Sequence, residues 1–559
     1  MNNLRRKIVI MGGGTAGASA VALLQEKLSH LAEIVLIDSA DFPPVGVGEA
    51  TVGNISGFVS ACGLNPIHTC LGAARGTIKY AVRLKDWFKK GHSYFTPIGL
   101  MGMEYGDFLK YHRSEEEYWA SWTGLRLGLQ GKSPYLKREH FDRMPIPNIW
   151  PEYAYNIDAT AFGRTLLDSA LKKGATRIQK TIRDVVPADD DTVSHLILAD
   201  GERIDADFFI DCSGFQRLIP TALQRRLTRF EEIPNDRAWV TRIPYLDRDL
   251  ELPYLATPEA QTMAAGWRWQ IGLKDQIGTG YVFSSSHISE DDALQEYMDS
   301  FADGRVNPDD CRLIKFETSC DQRQAGSNWI TCGLSAGFVE PLESTSIFFM
   351  HNNLVAFLSL ARQGQLPADV QMISVSDWDG ALNSDGPNGW FDWGPRKIEM
   401  YNAYTYQTFR TTADYIAAHY AVSTLDHSDY WNDWRTYREQ YLDVASQVLG
   451  YANENLFFSR PAYSLLSVGN QLGKINNWDL ARLTVLPRQE SSLRSGALSS
   501  PRAVLEDQTP VESLNIERDY LGVQMHRSYM ADLFAEHALD LVDQHQILAH
   551  IDENSPDDW

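Results

Sequence analysis

KIVIMGGGTAGASAVALLQEKL, residues 7–28, is the stretch that decides the fold of this chain. Its first five residues form a short apolar run typical of a buried parallel strand, and the glycines that follow match the pattern G-x-G-x-x-G. Good helix formers with helical spacing run from Ala18 to Leu28. A second apolar run, IVLID (34–38), ends in Asp38, whose carboxylate can accept hydrogen bonds from ribose hydroxyls. Strand, turn, helix, strand and acid in this order predict a Rossmann-type unit that binds a dinucleotide.

Each glycine of this turn has its own physical task. Gly12 permits the tight turn, Gly14 lets the backbone approach a pyrophosphate, and Gly17 lets the helix pack closely on the strand. Thr15 and Ala16 lie between them, where the N-terminus of the helix offers N–H donors to the phosphates. A purely structural turn is the alternative, but it does not explain the flanking elements. The chain has no second G-x-G-x-x-G, so no separate nicotinamide site is evident.

Composition limits the classes of partner. A formal net charge of -22 disfavours nucleic acid, because such a surface repels phosphate backbones. The six cysteines contain no CxxC pair, which predicts reduced thiols, no bound metal and a cytoplasmic protein. No run approaches the ~20 apolar residues of a membrane span, and the apolar run near the N-terminus is too short for a signal peptide. We therefore expect a soluble protein with no membrane association.

The chain is long enough for two or three packed units, and its pattern changes near residue 399. Before that point, strand-like and short helical segments mix. After it, long helical stretches dominate, such as 398–422 and 428–451. The sequence therefore predicts an α/β fold, with a Rossmann-type domain over residues 1–398 and a mostly helical region over 399–559.

Several further segments carry chemistry. A strand-to-turn element, DADFFIDCSGF (205–215), delivers Asp211 and Gly214 to the strand end that faces a ligand in dinucleotide folds, although alone it reads as an ordinary core strand. The other segments are GVGEATVGNI (46–55), GTIKYAVRLKDW (76–87), GWRWQIGLKDQIGTGYVFSS (266–285) and GLSAGFVEPLESTSIFF (333–349). Together with the glycine turn, and in this order from residue 7 to about residue 431, they resemble the flavin-dependent tryptophan halogenases.

This resemblance implies a flavin monooxygenase type of fold and a two-component reaction. FAD is the implied cofactor, delivered as FADH2 by a separate NAD(P)H-dependent flavin reductase. Oxygen adds to the flavin to give a C4a-hydroperoxide, and chloride or bromide attacks it to form hypohalous acid. The oxidant then moves through a tunnel to a lysine beside an aromatic substrate. Segment 95–150 is expected to contribute to the substrate pocket, region 399–559 to cover it, and the chain is compatible with a homodimer.

The resemblance assigns Lys79 and Glu343 as the catalytic residues. Lys79 matches the lysine that receives the oxidant, and an ammonium or amine can polarise or bind hypohalous acid. From its alternating strand alone, a solvated lysine on a polar face is the simpler interpretation. Glu343 matches the residue that positions the oxidant or takes the proton from the arenium ion. The segment PLEST is also typical of a helix start, where a carboxylate is favoured by the helix dipole.

The resemblance also assigns halide and flavin contacts. Thr345 and Ser346 match the halide cradle, and a helix N-terminus offers free N–H groups to an anion. Many family members have glycine in place of Ser346, which either leaves backbone contacts unchanged or narrows the site. Glu49 and Ala50 match the strap that contacts the flavin, and Leu334 matches a flavin contact beside the halide loop.

Trp267 and Trp269 belong to the family signature W-x-W-x-I-P, in which indole rings near the flavin keep substrate away from it. Two aromatics on one face of a strand are the structural alternative. Here the final proline of the signature is replaced by Gly272, which weakens the match without removing the tryptophans.

The substrate pocket departs most from the family. Where tryptophan-specific members present histidine and phenylalanine around the indole, this chain has Thr96 and Ile98. Phe457 and Phe458 are candidate aromatic walls in the lid, and Glu454 is a candidate partner for an amine. Free tryptophan is therefore disfavoured as the substrate, and another indole, a phenol, a pyrrole or a tethered or peptidic aromatic stays open.

Three functions remain after this reading. A two-component halogenase is favoured because the lysine, the glutamate and the halide loop are all present. A hydroxylating flavin monooxygenase is the second, kept open by Gly272 and Ser346. A flavin-binding protein without turnover is the third, and it requires neither Lys79 nor Glu343.

Overall fold

The computed structural model describes these residues of the chain: 6–40, 48–87, 89–98, 123–136, 153–252, 255, 257–363, 393–421, 423, 425–434 and 541–543. The chain divides into two units, each assembled from separate stretches. The first unit consists of Met1–Gly76, Ile157–Asp236 and Ile314–Ala413. The second unit consists of Thr77–Asn156, Arg237–Leu313 and Asp414–Trp559.

The strands are, in chain order, β1 (Arg6–Met11), β2 (Ala32–Asp38), β3 (Gly48–Ala50), β4 (Thr77–Lys79), β5 (Ala81–Lys85), β6 (Ser93–Pro97), β7 (Lys132–Leu136), β8 (Ala154–Asp158), β9 (Thr176–Gln179), β10 (Ile182–Pro187), β11 (Val193–Leu198), β12 (Arg203–Ile204), β13 (Phe208–Asp211), β14 (Leu227–Arg229), β15 (Arg237–Pro244), β16 (Glu259–Met263), β17 (Gly266–Gly272), β18 (Gln276–Phe283), β19 (Arg312–Lys315), β20 (Ser319–Asp321), β21 (Ala325–Gly326), β22 (Trp329–Thr331), β23 (Gly337–Phe338) and β24 (Leu541–Asp543).

The α-helices are α1 (Thr15–Leu28), α2 (Ile55–Ala61), α3 (Thr123–Leu129), α4 (Ala159–Lys172), α5 (Leu218–Ala222), α6 (Arg248–Glu251), α7 (Glu290–Asp299), α8 (Ser346–Gln363) and α9 (Pro395–Ala421). Short 3-10 turns cover Gly214–Gln216, Pro308–Asp310, Gly333–Ser335 and Pro341–Glu343, and a π-helical turn covers His68–Ala73.

A six-stranded sheet lies at the centre of the first unit. Its order is β21-β22-β13-β1-β2-β9, and the strands from β22 to β9 run parallel. The register pairs Ile10 with both Leu36 and Ile210, and Ile210 in turn with Ile330. Parallel central strands are buried on both faces, which is why β1, β2 and β13 are continuous apolar runs. Because the carboxyl ends of parallel strands share one edge, the glycine turn, Asp38 and the loop after β13 meet there.

Helices and a small sheet enclose this central sheet. Helix α1 packs against α4 and α8. An apolar cluster that includes Val9, Val35, Phe209 and Trp329 also takes in Leu196 from the three-stranded sheet β10-β11-β12. The four side chains from the central sheet lie on one face of it, because their residues are paired in register and alternate residues of a strand point to opposite faces.

The second unit is built on a seven-stranded sheet of order β19-β15-β18-β17-β16-β5-β6. Neighbouring strands run antiparallel between β15 and β16, and β16 pairs with β5 in parallel. Its core includes Ile277, Tyr281 and Phe283 of β18 together with Ala293 and Tyr297 of α7. This sheet carries the tryptophan signature on β17.

The alternating segment around Lys79 reads as a single strand over residues 77–84 in the sequence, but the structure divides it. The strand divides at Tyr80, so that β4 pairs with β8, whereas β5 pairs with β6 and β16. The long helix predicted over 398–422 is confirmed as α9, and of 428–451 only the start is described, where residues 429–434 are helical. The division at residue 398 stays a prediction, since most of 399–559 lies outside the described residues. Within the described chain, every helix is too short or too polar to cross a membrane.

Candidate active site

The glycine turn in the first unit is closely packed at Gly12 and Gly17 and open at Gly14. Gly12 has a φ of +105°, and a Cβ there would lie 2.4 Å from the carbonyl oxygen of Cys212. A Cβ on Gly17 would lie 1.8 Å from the carbonyl oxygen of Gly12, so no side chain fits between helix and turn. A Cβ on Gly14 would meet nothing within 4 Å, which leaves the backbone open on that side. The three tasks predicted for these glycines therefore fit the structure.

Helix α1 begins at Thr15 with Gly14 as its N-cap, and no side chain caps it. The first N–H groups of the helix, including that of Ala16, thus lack an intrahelical acceptor and suit a phosphate. The uncapped start of α1 therefore fits the dinucleotide that the sequence predicts.

Asp38 lies at the end of β2, against the glycine turn. A Cβ on Gly13 would lie 2.4 Å from Asp38 Oδ2, so the carboxylate packs on that glycine. Arg177 of β9 holds the carboxylate with two hydrogen bonds, Nε to Oδ1 at 2.9 Å and Nη2 to Oδ2 at 2.6 Å. Arg177 is not evident from the sequence, because no motif marks it and 139 residues separate it from Asp38.

The loop after β13 is organised by Asp211. Its carboxylate accepts hydrogen bonds from the backbone and hydroxyl of Ser213, at 2.8 and 2.5 Å, and from Ile219 N–H at 2.7 Å. Burial raises the pKa of Asp211, although these bonds oppose the rise. Because its oxygens are used within the loop, Asp211 shapes the turn that contains Gly214.

Leu334 lies in a 3-10 turn that packs on the glycine turn. A Cβ on Gly333 would lie 2.7 Å from the Cβ of Ala16, and the hydroxyl of Ser335 donates to the carbonyl of Asp211. Leu334 itself is half-buried. Its predicted flavin contact is therefore supported by its position beside the first turn of α1.

Glu49 and Ala50 form part of strand β3. Of the strap that begins GVGEAT, residues 46 and 47 lie outside the described part of the chain. Ala50 is buried and Glu49 is half-buried. Desolvation raises the pKa of the Glu49 carboxyl from 4.5 to about 7. The Glu49 carboxyl is therefore largely neutral below about pH 7. The sequence does not reveal this, because the pKa shift is caused by the atoms that surround the carboxyl in the fold.

This pKa makes folding stability depend on pH in a defined direction. The folded pKa lies above the unfolded pKa, so the folded carboxyl stays protonated while the unfolded one ionises. The contribution of Glu49 to the free energy of unfolding is fully present below about pH 4.5 and is lost as the pH rises through about 7. Relative to Glu49→Gln, the wild-type protein should lose at most about 3 kcal/mol between those limits. Chemical denaturation at pH 5 and pH 8 measures it, and a constant difference between the two proteins would contradict it.

The segment PLEST forms a strained turn that leads into α8. Pro341–Glu343 is a 3-10 turn with proline at its start, and Ser344 follows with a φ of +62°. Helix α8 then begins at Ser346, so the sequence prediction of a helix start is confirmed. Glu343 is buried, with 8% of its surface exposed. A non-glycine residue in the left-handed region often marks a functional turn.

Thr345 lies at the N-terminus of α8 and is fully buried. Its carbonyl accepts from Phe349 N–H at 2.9 Å, which is the first bond of the helix. Its Oγ1 has no hydrogen-bond partner among the described residues. A buried hydroxyl donor beside the free N–H groups of a helix start fits a small anion. Just before this turn, Glu340 is anchored by Asn235 Nδ2 at 2.6 Å.

Lys79 is the last residue of β4 in the second unit and has no exposed surface. Its backbone pairs with Ala154 of β8, and Thr77 pairs with Asn156. The structure rules out the simpler interpretation of a solvated lysine. A fully buried lysine is rare and costly, and such a position is a candidate for chemistry.

The two candidate pocket residues lie beside the strand that follows Lys79. Thr96 pairs with Val82, and Ile98 N–H donates to the carbonyl of Tyr80 at 2.7 Å. Thr96 is 1% exposed and Ile98 is 9% exposed. The predicted pocket residues thus lie beside β5, the strand that follows Lys79 in the chain, and belong to the same unit as Lys79.

Trp267 and Trp269 share one face of β17, as the alternation predicted. Their ring centroids are 6.0 Å apart, and both rings are buried. Gly280 of the adjacent strand makes room, since a Cβ there would lie 2.1 Å from the ring of Trp269. Between them, Arg268 points away and lies over the ring of Phe301, 4.4 Å from its centroid.

Gly272 ends the signature strand in a crowded position. A Cβ on Gly272 would lie 2.6 Å from the Cβ of Leu255 and 3.1 Å from the hydroxyl of Tyr245. The family proline would collide with these side chains. The glycine at this position thus matches the packing of Leu255 and Tyr245 around it.

The predicted residues are distributed over both units. The first unit contains the glycine turn, Asp38, the strap and the halide loop with Glu343, and the second contains Lys79, both tryptophans and the two pocket residues. The lid candidates Glu454, Phe457 and Phe458 lie outside the described residues.

Known proteins resemble this chain over most of its length. The model of the family described as tryptophan halogenase matches residues 7–374. The chain is 26% identical to tryptophan 6-halogenase SttH of Streptomyces toxytricini, over 77% of this chain and 81% of that protein. It is 28% identical to tryptophan 7-halogenase RebH of Lentzea aerocolonigenes, over 76% of this chain and 78% of that protein.

Solved structures show the same fold. The crystal structure of SttH aligns with a TM-score of 0.72 at 22% identity, covering 98% of this chain and 99% of that one. BrvH, a flavin-dependent halogenase from Brevundimonas sp. BAL3, aligns with a TM-score of 0.70 at 24% identity, covering 98% and 99%. The predicted fold class is thereby confirmed.

Proposed function

Because this chain belongs to the tryptophan halogenase family and is a flavin-dependent halogenase, we propose that it delivers hypohalous acid through Lys79 to an indole-like aromatic substrate. The observation that carries this proposal is the complete burial of Lys79 on β4. A lysine placed there for solubility would be exposed, whereas one that must hold a reactive oxidant away from water belongs inside.

The halide would be held at the start of α8. Its amides at Ser346 and beyond lack intrahelical acceptors, and the buried Thr345 hydroxyl is available to donate. A halide there would contact the backbone N–H of Ser346, so serine should serve as well as glycine. Reduced FAD, held by the glycine turn, would supply with O2 the two-electron chemistry that converts halide into hypohalous acid.

The two catalytic residues would then divide the substitution. The Lys79 ammonium hydrogen-bonds hypohalous acid and polarises it toward the ring. Glu343 accepts the proton that leaves the ring carbon after halogen is added. Its buried place at the end of the turn that leads into α8 supports this role, since a carboxylate shielded from bulk water is reserved for groups inside the site.

We further propose that the substrate is larger than, or different from, free tryptophan. Thr96 and Ile98 stand where family members for free tryptophan carry a histidine and a phenylalanine, and neither can stack on an indole. The expected substrate is an indole whose recognition relies on the rest of a larger molecule.

The test supplies the protein with FAD, NADH, a flavin reductase, O2 and either chloride or bromide. Tryptophan, indole, a phenol, a pyrrole and a tryptophan-containing peptide are offered separately, and mass spectrometry reads the isotope pattern. We expect the tryptophan-containing peptide to be halogenated at a rate at least about tenfold above that for free tryptophan. Halide omission is the control. Products that are hydroxylated and never halogenated would replace this function with that of a monooxygenase.

A further inference from the structure

We propose that Thr77 and Asn156 are positioning residues, which hold the strand of Lys79 to the tryptophan strand through the carbonyl of Gly272. This inference rests on the proposed function, because it concerns the placement of Lys79. All of the groups involved lie within the second unit.

Lys79 occupies a junction between two sheets. It ends β4, which pairs with β8, and after Tyr80 the chain enters the seven-stranded sheet as β5. On its C-terminal side, β4 is therefore continued directly into the larger sheet. At its N-terminal end, Thr77 makes a further side-chain contact with that sheet.

A directional chain of hydrogen bonds provides that contact. The hydroxyl of Thr77 donates to the carbonyl oxygen of Gly272 at 2.6 Å. Asn156 Nδ2 donates to Thr77 Oγ1 at 3.0 Å and to the carbonyl of Leu255 at 3.3 Å. Since the Thr77 proton is committed to Gly272, the hydroxyl must accept from its other neighbour, which fixes the orientation of the Asn156 amide. Thr77 and Asn156 have no exposed surface, so water does not compete for these bonds.

The glycine in the signature is part of the same arrangement. Leu255 lies so close to Gly272 that a Cβ there would approach its Cβ to 2.6 Å. A proline ring at position 272 would therefore meet Leu255, the residue whose carbonyl accepts a hydrogen bond from Asn156. Gly272, the departure from the family signature, is thus part of a hydrogen-bonded connection between β4 and β17. This connection, here called the tie, fixes the position of β4 relative to β17.

Misplacing the reacting lysine costs rate steeply, since a shift of ~1 Å can cost about 100-fold. In Thr77→Val the shape is kept and the donor is lost, so the tie to Gly272 breaks. We expect halogenated product per O2 consumed to fall at least about fivefold, while reduced flavin is still oxidised at the wild-type rate. Thr77→Ser keeps the hydroxyl and should restore the ratio to within about twofold. Thr241→Val is the matched control, because Thr241 is also a buried threonine of this unit whose hydroxyl donates to a carbonyl, that of Asp310 at 3.1 Å.

A wild-type ratio in Thr77→Val, or an equal deficit in Thr77→Ser, would overturn the inference. Hydrogen exchange of the peptide over residues 77–85 separates this from failure of the proposed function. If the wild-type protein makes no halogenated product, faster exchange in Thr77→Val than in Thr77→Ser still supports the tie. Equal exchange in the two variants would reject it.

Discussion

Replacing Lys79 with methionine should remove halogenated product almost completely, by roughly 10²- to 10⁴-fold, while oxidation of reduced flavin continues. Methionine matches the length of the lysine stem but cannot donate a hydrogen bond to hypohalous acid. The fully buried site is expected to accept an apolar side chain, because a buried ammonium costs free energy that methionine does not. Product is measured by mass spectrometry and flavin oxidation by its absorbance.

The control is Lys85→Met. Lys85 lies on β5 of the same unit, but its side chain is 37% exposed and lies 3.7 Å from Glu259. Exposed ion pairs contribute little, so halogenation should stay within about twofold of wild type. Unchanged halogenation in Lys79→Met would show that the assigned lysine is not the one that handles the oxidant.

The second large effect is expected at the glycine turn, where two alanine substitutions should separate binding from folding. Gly14 has a φ of -70°, which alanine adopts freely, and its Cβ meets no protein atom within 4 Å. Gly14→Ala should therefore fold normally, but its methyl group occupies the side from which the pyrophosphate approaches. We expect the Kd for FAD to rise by at least about tenfold, measured by flavin fluorescence.

Gly17→Ala should impair both properties. Its Cβ would lie 1.8 Å from the carbonyl oxygen of Gly12, and because this obstacle is backbone, a small side-chain adjustment cannot relieve the clash. We expect a loss of about 3 kcal/mol or more of unfolding free energy together with flavin binding. Gly57→Ala in α2 is the control, since its Cβ meets nothing within 4 Å, and it should be neutral or stabilising by up to about 1 kcal/mol. Tight FAD binding by Gly14→Ala would contradict the placement of the pyrophosphate.

Much of the first unit could be predicted because its signals are local. Gly12, Gly14 and Gly17 lie within a few residues of one another, and their conformations follow from the turn that they form. The start of α8 was likewise predicted from Pro341 and the small polar residues after it. Parallel strands then bring Asp38 to the same sheet edge without further information.

Contacts between distant stretches could not be predicted in this way. Arg177 reaches Asp38 across 139 residues, and Asn156 reaches Thr77 across 79. Nothing in the composition of either partner marks such a pair. The close packing of Leu255 against Gly272 could not be predicted either. It arises only when β17 and the segment of Leu255 have packed together.

By itself, the sequence determined the nucleotide-binding unit and the helix start at the halide loop, because both depend on backbone conformations that a few adjacent residues impose. The tertiary structure alone decided the environment of Lys79. Its alternating pattern predicted a polar, exposed strand face, but the chain changes sheets at Tyr80, and β8 and the seven-stranded sheet enclose the lysine. Burial is a property of what surrounds a residue, so it appears only when distant strands have packed.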